Sequence, residues 1–117
     1  MMTTLDADFY RRLLETSPEG VVLVDARQSD QPVIYVNPGF EALTGYAAAD
    51  LLGRNLRLLQ ADDREQDGRH RLREAVGRGE SCRVLLRNYR KDGTLFWNEM
   101  TLLPLRDEQG GLTHYAG

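Results

Sequence analysis

The chain has 117 residues, enough for one hydrophobic core and too few for two. Its 41% hydrophobic and 28% charged residues are ordinary for a globular domain and exclude disorder, while a formal charge of −3 argues against a nucleic-acid footprint. No apolar run approaches the roughly 20 residues that span a bilayer, no signal-peptide pattern opens the chain, and the lone Cys82 cannot form an internal disulfide, so no membrane contact and a reducing, cytoplasmic setting are expected.

In chain order, Asp6 to Thr16 carries Phe9, Leu13 and Leu14 at helical spacing, and SPEG then breaks the pattern. VVLVDA (21–26) predicts a short buried strand and QPVIYVN (31–37) a second, joined by a polar turn. Short helices follow in PGFEALTGY, with Pro38 at a first helical position, and in AAADLLG, ending at Gly53. The longest helical pattern runs from Arg64 to Gly77 with Leu72, Ala75 and Val76 inward, and Gly77 and Gly79 close it. The period then changes to two, giving strands in SCRVLLRNYR, TLFWNEMTLLPLRD and LTHYAG. This order predicts an α+β arrangement, a five-stranded antiparallel sheet with short helices packed on one face. The last strand pattern stops mid-run, so the natural chain is expected to continue.

The hairpin RNYRKDGTLFWNEM turns at Lys91-Asp92-Gly93. A two-residue loop would put Asn88 and Asn98 on opposite faces. A three-residue loop with Gly93 left-handed pairs Arg90 with Thr94 and Asn88 with Phe96, so the two asparagines share a face. If the helices cover that face, two carboxamides sit in an apolar pocket with Leu86, Phe96, Met100 and Leu102, and side by side they match an acceptor–donor–acceptor ligand edge such as a flavin pyrimidine. If they do not, both are solvent-facing strand residues.

Lys91 is the only lysine, and arginine supplies the rest of the Lys and Arg count. Arg57 precedes the long helical pattern, and Arg64, Arg69 and Arg73 lie in or beside it. Arg69 and Arg73, four apart, share a helix face, and Arg64 lies near the expected helix start, a place that favours an anion. Such a set could hold a phosphate. With Arg71, Arg78, Asp62, Asp63, Glu65 and Glu74 in the same segment, a solvated charged face is the alternative.

With these residues in place, the chain resembles a PAS domain along nearly its whole length, and within that family the flavin-binding light-oxygen-voltage (LOV) branch. The phrases that carry the resemblance are YVNPGFEALTGY, GRNLRLLQ, DDREQDGRHRLREA, NYRKDG, FWNEM and LLPLRDEQGG. In the LOV branch the second reads GRNCRFLQ, so Leu56 stands where the photoactive cysteine is expected and Leu58 where a phenylalanine is. The resemblance implies that Asn55, Arg57 and Gln60 contact the ribityl chain and phosphate of FMN. It implies that Arg64, Arg69 and Arg73 hold the phosphate and that Asn88 and Asn98 bind the pyrimidine edge. It further implies that Leu56, Met100 and Leu102, with Val22 and Val24 on the first strand, form the pocket wall. No insertion of the FAD-binding kind follows Gln60, so FMN is the expected cofactor.

Leu56 has no nucleophilic atom, so it can form no flavin adduct. Cys82, six residues before Asn88, is about 20 Å from it along a strand and is read as a small packing residue. His70 offers a remote haem-ligand alternative, but its neighbours are Arg69 and Arg71, and no metal-ligand spacing or nucleophile elbow occurs. The expected organisation is an amphipathic helix over residues 1–17, a cap or dimer contact, followed by a sensor domain over 18–117 truncated at its last strand. The expected function is sensory and not enzymatic: FMN binding with redox or photoreduction sensing, or else a cofactor-free PAS module for dimerisation and relay. Either would act as a homodimer, through the sheet or the N-terminal helix, on a C-terminal effector such as a histidine kinase or a GGDEF or EAL enzyme.

Overall fold

The computed structural model describes residues 5–117, and the elements follow the order that the sequence pattern predicts. Helix α1 (Ala7–Thr16) starts where Asp6 accepts the Phe9 N–H at 3.0 Å, an N-cap that satisfies one orphan donor. Its expected apolar stripe has little cover: Phe9 and Leu14 are half-buried and Leu13 is exposed.

Asn37, fully buried, ties this helix to the rest. It follows strand β2 (Val33–Val36) and caps α2 (Pro38–Thr44) by accepting from the Phe40 N–H at 2.9 Å. The same oxygen accepts the Val21 N–H at 2.7 Å, just before strand β1 (Val22–Asp25). Its amide nitrogen donates to Leu14 O and Glu19 O, both at 2.9 Å. One side chain thus uses all its capacity to fix the end of α1, the start of β1 and the start of α2. Helix α3 (Ala48–Leu51) is shorter than AAADLLG suggested, and the phrase GRNLRLLQ forms a 3-10 helix over Leu56–Gln60, capped by Asn55 accepting from the Arg57 N–H at 2.8 Å.

Helix α4 (Asp67–Arg78) begins three residues later than its periodicity predicts, because Gln66 is spent elsewhere. Strand β3 (Cys82–Tyr89) is an edge strand, and one side of its backbone lacks a neighbouring strand. The buried Gln66 amide fills that gap, accepting from the Arg87 N–H at 2.8 Å and donating to Arg87 O at 3.0 Å. Gly68 lets the helix come this close: a Cβ there would lie 2.5 Å from Leu85 O on the same edge. Gly79, at φ 66°, ends the helix.

Strands β4 (Leu95–Arg106) and β5 (Leu112–Ala116) complete an antiparallel sheet in the order β2-β1-β5-β4-β3. The hairpin takes the three-residue form: Arg90 N–H donates to Thr94 O at 2.8 Å, Gly93 has φ 89°, and Asn88 pairs with Phe96. Along β4 the burial alternates, so Phe96, Asn98, Met100 and Leu102 face the helices while Leu95, Trp97 and Leu103 face out. The inward apolar residues form two clusters. One gathers Val22, Val24, Val33, Val36, Phe40, Leu51, Leu59, Leu102 and Tyr115; the other holds Val84, Leu86 and Met100; Leu56, Leu72 and Cys82 pack against both.

Replacing Asn37 with alanine removes the side-chain partner of the Val21 and Phe40 N–H groups and of the Leu14 and Glu19 carbonyls, leaving the part-buried Val21 N–H without a partner. The variant is expected to lose more than about 2 kcal/mol of unfolding free energy, read from the urea midpoint. A loss below about 0.5 kcal/mol would show that water replaces the amide at no cost.

Candidate ligand cavity

Between the two core clusters runs a cavity of about 260 Å³, open at one end. Interiors are otherwise close-packed, so a cleft that divides the core is the candidate for a ligand site. Strand β1 contributes Val24, the hairpin contributes Leu86, Asn88, Met100 and Leu102, the 3-10 helix contributes Leu56, Arg57, Leu59 and Gln60 with Asn55 before it, and α4 contributes Arg69, Leu72, Arg73 and Val76. Burial distinguishes the ends. Val24, Leu59, Gln60, Leu86, Asn88, Met100 and Leu102 are buried, whereas Arg57 and Arg73 are exposed and Gln31, Asn55 and Arg69 half-buried, which makes this polar set the mouth.

Of the thirteen site residues that the resemblance implies, ten line this cavity and three do not. Val22 shares a sheet face with Val24 but lies one pleat further along, inside the packed core and hydrogen-bonded to Gly117. Arg64 is exposed in the connection before α4, its Nε donating to Ala61 O at 3.2 Å, because the helix start moved to Asp67. Asn98 sits behind Asn88 and lines a separate depression against Gly20, Phe40, Leu43 and Gly117. Phe96, expected among the pocket residues, instead packs under the Arg90 guanidinium, 4.8 Å from its ring centre. Gln31 and Leu59 were missed; Gln31 reaches the mouth only because the β1–β2 loop folds over it, and no local pattern signals that.

The polar groups are unevenly satisfied. Asn98 Nδ2 donates to Asn88 Oδ1 at 3.0 Å and Asn88 Nδ2 to Arg87 O at 3.0 Å, which locks the pair while each amide keeps a second N–H. Gln60 Oε1 is buried without a hydrogen-bond partner, a costly arrangement unless a ligand supplies a donor. At the mouth Arg57 is paired with Asp30, whereas Arg69 and Arg73 form no ion pair among the described residues. Cys82 lies on the cavity's side of the sheet, opposite Leu102, but does not line the cavity; burial raises its thiol pKa against the pull of Arg71. His70 is exposed beside Glu65, away from the cavity. Among the described residues no group of His, Cys, Asp and Glu could hold a metal ion, and no helix is long and apolar enough to cross a membrane.

A five-stranded antiparallel sheet in this strand order, with a ligand-sized cleft under its helices, defines the PAS/LOV fold. The sequence profile of the PAS domain family matches residues 18–117, and the chain belongs to that family. It is 44% identical over 101 residues to the blue-light photoreceptor of Listeria monocytogenes, covering 86% of this chain and 40% of that protein. The chain therefore spans less than half the length of this curated relative. Among solved structures, an RNA-binding light-oxygen-voltage receptor superimposes with a TM-score of 0.91 at 39% identity, over 100% of this chain and 34% of the other. A light-oxygen-voltage domain from a study with a flavin analogue gives 0.84 at 40% identity, over 91% and 78%.

Asp63 anchors α4, and with it Arg69 and Arg73. Its carboxylate accepts from Arg87 Nε at 2.6 Å, from Arg87 Nη2 at 2.8 Å and from the Tyr89 hydroxyl at 2.7 Å. These bonds hold its pKa at about 2, with Arg87 first and Tyr89 second. A depressed carboxylate stabilises the fold above its ordinary pKa of about 4 and loses that contribution as pH falls toward the folded value. The urea midpoint is expected to drop between pH about 4 and about 2 more steeply in the native protein than in Asp63→Asn. Parallel profiles would show that the network carries no proton linkage.

Proposed function

We propose that the chain is a LOV-type sensory domain that binds FMN non-covalently in this cavity and works by redox or photoreduction sensing, without a cysteinyl adduct. The observation that carries the reading is one cleft combining an apolar wall, Asn88 locked from behind by Asn98, the buried and unpartnered Gln60 Oε1, and two arginines free of carboxylates at the mouth. A ring with polar edges and an anionic tail matches that division. Asn88 would take the pyrimidine edge through its remaining N–H, with Asn98 bracing it through their hydrogen bond, and Gln60 would accept from the ligand. Asn55 would serve the polar chain, and Arg69 and Arg73 the phosphate. The bound flavin would supply light absorption and electron transfer; the protein's own groups supply binding, orientation and exclusion of water.

Leu56, on the cavity wall, offers only apolar contact. Cys82, whose thiol is pushed toward its protonated form, is a poor substitute nucleophile. The domain is not itself catalytic in this reading. It serves a bacterial signalling protein whose output, a histidine kinase or a GGDEF or EAL enzyme, lies in a C-terminal effector domain, and it has neither nucleic-acid nor membrane contacts of its own. The division at residue 17 gives α1 the role of cap or dimer contact. A second reading, a cofactor-free PAS module for homodimerisation, is favoured by one feature: the outer sheet face exposes Ile34, Leu85, Leu95, Trp97, Leu103 and Leu105.

Mixing the purified protein with FMN and removing the excess by gel filtration separates the two. The FMN reading expects a structured blue absorption band that travels with the protein; no band at saturating FMN would overturn it in favour of the dimer module. In the loaded protein, Asn88→Leu with Asn98→Leu is expected to weaken binding by more than about 2 kcal/mol, and unchanged affinity would show that the carboxamides do not meet the ligand.

Blue light should leave no reversible adduct in the native protein, and Leu56→Cys should introduce reversible bleaching of the band. Native bleaching that Cys82→Ser abolishes would assign the adduct to Cys82 and overturn the cysteine-free mechanism.

A further inference from the structure

We propose that Gln31 is a latch on the bound ligand: the β1–β2 loop holds its carboxamide at the cavity mouth against backbone strain, and the latch slows release. This role rests on the flavin reading and deepens it, adding a binding residue on the lip opposite α4.

The loop between β1 and β2 is braced at both ends. At its base the buried Asp25 carboxylate accepts from the Arg27 N–H at 2.9 Å, from Arg27 Nε at 3.3 Å and from Gln28 Nε2 at 2.9 Å. The Asp25 N–H donates to Pro32 O at 3.0 Å and closes the loop. At its tip the Asp30 carbonyl accepts from Asn55 Nδ2 at 2.7 Å, and the Gln31 N–H donates to Gln28 O at 3.2 Å. These bonds fix two adjacent non-glycine residues in the left-handed region, Asp30 at φ 65° and Gln31 at φ 42°. A short polar side chain such as that of Asp30 tolerates this region; the longer glutamine does not.

The strained residue is also the one that the loop sends to the cavity. Gln31 lines the mouth, whereas Gln28, Ser29 and Asp30 do not. It is half-buried there, and its carboxamide bonds to no side chain or backbone group among the described residues. Strain held at a residue that meets a cavity, and that adds no side-chain hydrogen bond to the fold, points to a role in the cavity. An amide offers two donors and an acceptor, and from this lip it bonds the polar chain between a flavin ring and its phosphate. FMN and riboflavin share that chain, so a neutral latch acts on both alike, unlike a cation that reads the phosphate. Because the bond must break before the ligand leaves, its effect falls on the dissociation rate.

The test joins a ligand-free measurement to a kinetic one. Glycine enters the left-handed region without penalty, so Gln31→Gly removes the carboxamide and the strain together. Its urea midpoint without ligand is expected to rise above that of the native protein. After loading and dilution, followed by flavin fluorescence anisotropy, FMN and riboflavin are both expected to leave about tenfold faster, with association changed by less than about twofold. Gln31→Asn, which keeps an amide on the same backbone but shortens it by one methylene, is the second variant and should also release both flavins faster. Ser29→Gly, in the same loop but off the cavity, controls for loop mobility and should leave release unchanged. A midpoint for Gln31→Gly at or below the native value would make Gln31 a folding residue of the loop and overturn the latch. Unchanged release, faster release of FMN alone, or equal acceleration by Ser29→Gly would overturn it while flavin binding stands. Failure of the native protein to retain either flavin would overturn the flavin reading and this inference together.

Discussion

The register of the β3–β4 hairpin is the constraint on which the rest of the molecule depends. The side-chain period of a strand is two, so a slip of one residue sends every inward group to the opposite face. Gly93, left-handed at φ 89°, allows the three-residue turn that pairs Asn88 with Phe96. From that pairing follow the inward positions of Asn88, Asn98, Met100 and Leu102 and the outward positions of Leu95, Trp97 and Leu103. The turn is itself pinned to the helical layer: Lys91 N–H donates to Thr44 O at 3.1 Å and Lys91 Nζ pairs with Asp50 at 3.0 Å. A slipped hairpin would break these links as well as exposing the core.

The edge of the same hairpin positions the mouth of the cavity. Gln66 and Gly68 bring α4 onto the free side of β3, and Asp63 clamps the approach through Arg87 and Tyr89. Arg69 and Arg73 inherit their place from these contacts, since they lie within the next two turns of the helix. The opposite lip belongs to the β1–β2 loop, where Asp30 engages Arg57 and Asn55. One lip carries arginines without carboxylates and the other a compensated arginine, so the mouth is asymmetric in charge although both sides are rich in guanidinium groups.

A PAS scaffold with Leu56 at the cavity wall separates two properties that a reactive cysteine would join. Binding depends on the wall, the carboxamides and the cations; bond formation to a ligand needs a nucleophile. The cleft holds the apolar wall, Asn88 and the arginines, while the one cysteine packs outside it with its thiol pushed toward the protonated form. Beneath the cleft, the buried Tyr115 hydroxyl donates to Val76 O on α4 at 2.8 Å and joins the last strand to the helix that carries Arg69 and Arg73. A change at the cavity and a change at the sheet therefore share a mechanical element.

The sequence alone determined whatever depends on local periodicity and turn chemistry. It defined the order of strands and helices, the helix start at Pro38, the Asp-Gly turn, and hence the shared face of Asn88 and Asn98 once the loop length was chosen. Helix and strand periods also marked Arg69, Arg73, Met100 and Leu102, whereas Asn55, Leu56, Arg57 and Gln60 were named by what the resemblance to the LOV branch implies. Tertiary structure decided what depends on approach between distant segments. Gln66 reads as one more polar residue in a helical run until an edge strand presents an unpaired N–H and C=O beside it. Asp30 and Gln31 read as turn residues until the loop meets the 3-10 helix. Val22 and Val24 are indistinguishable in pattern, yet one packs against the core and the other lines the cleft, because the cleft ends between them. Alternation tells which side of a sheet a residue takes; only packing against the opposing layer tells what it meets there.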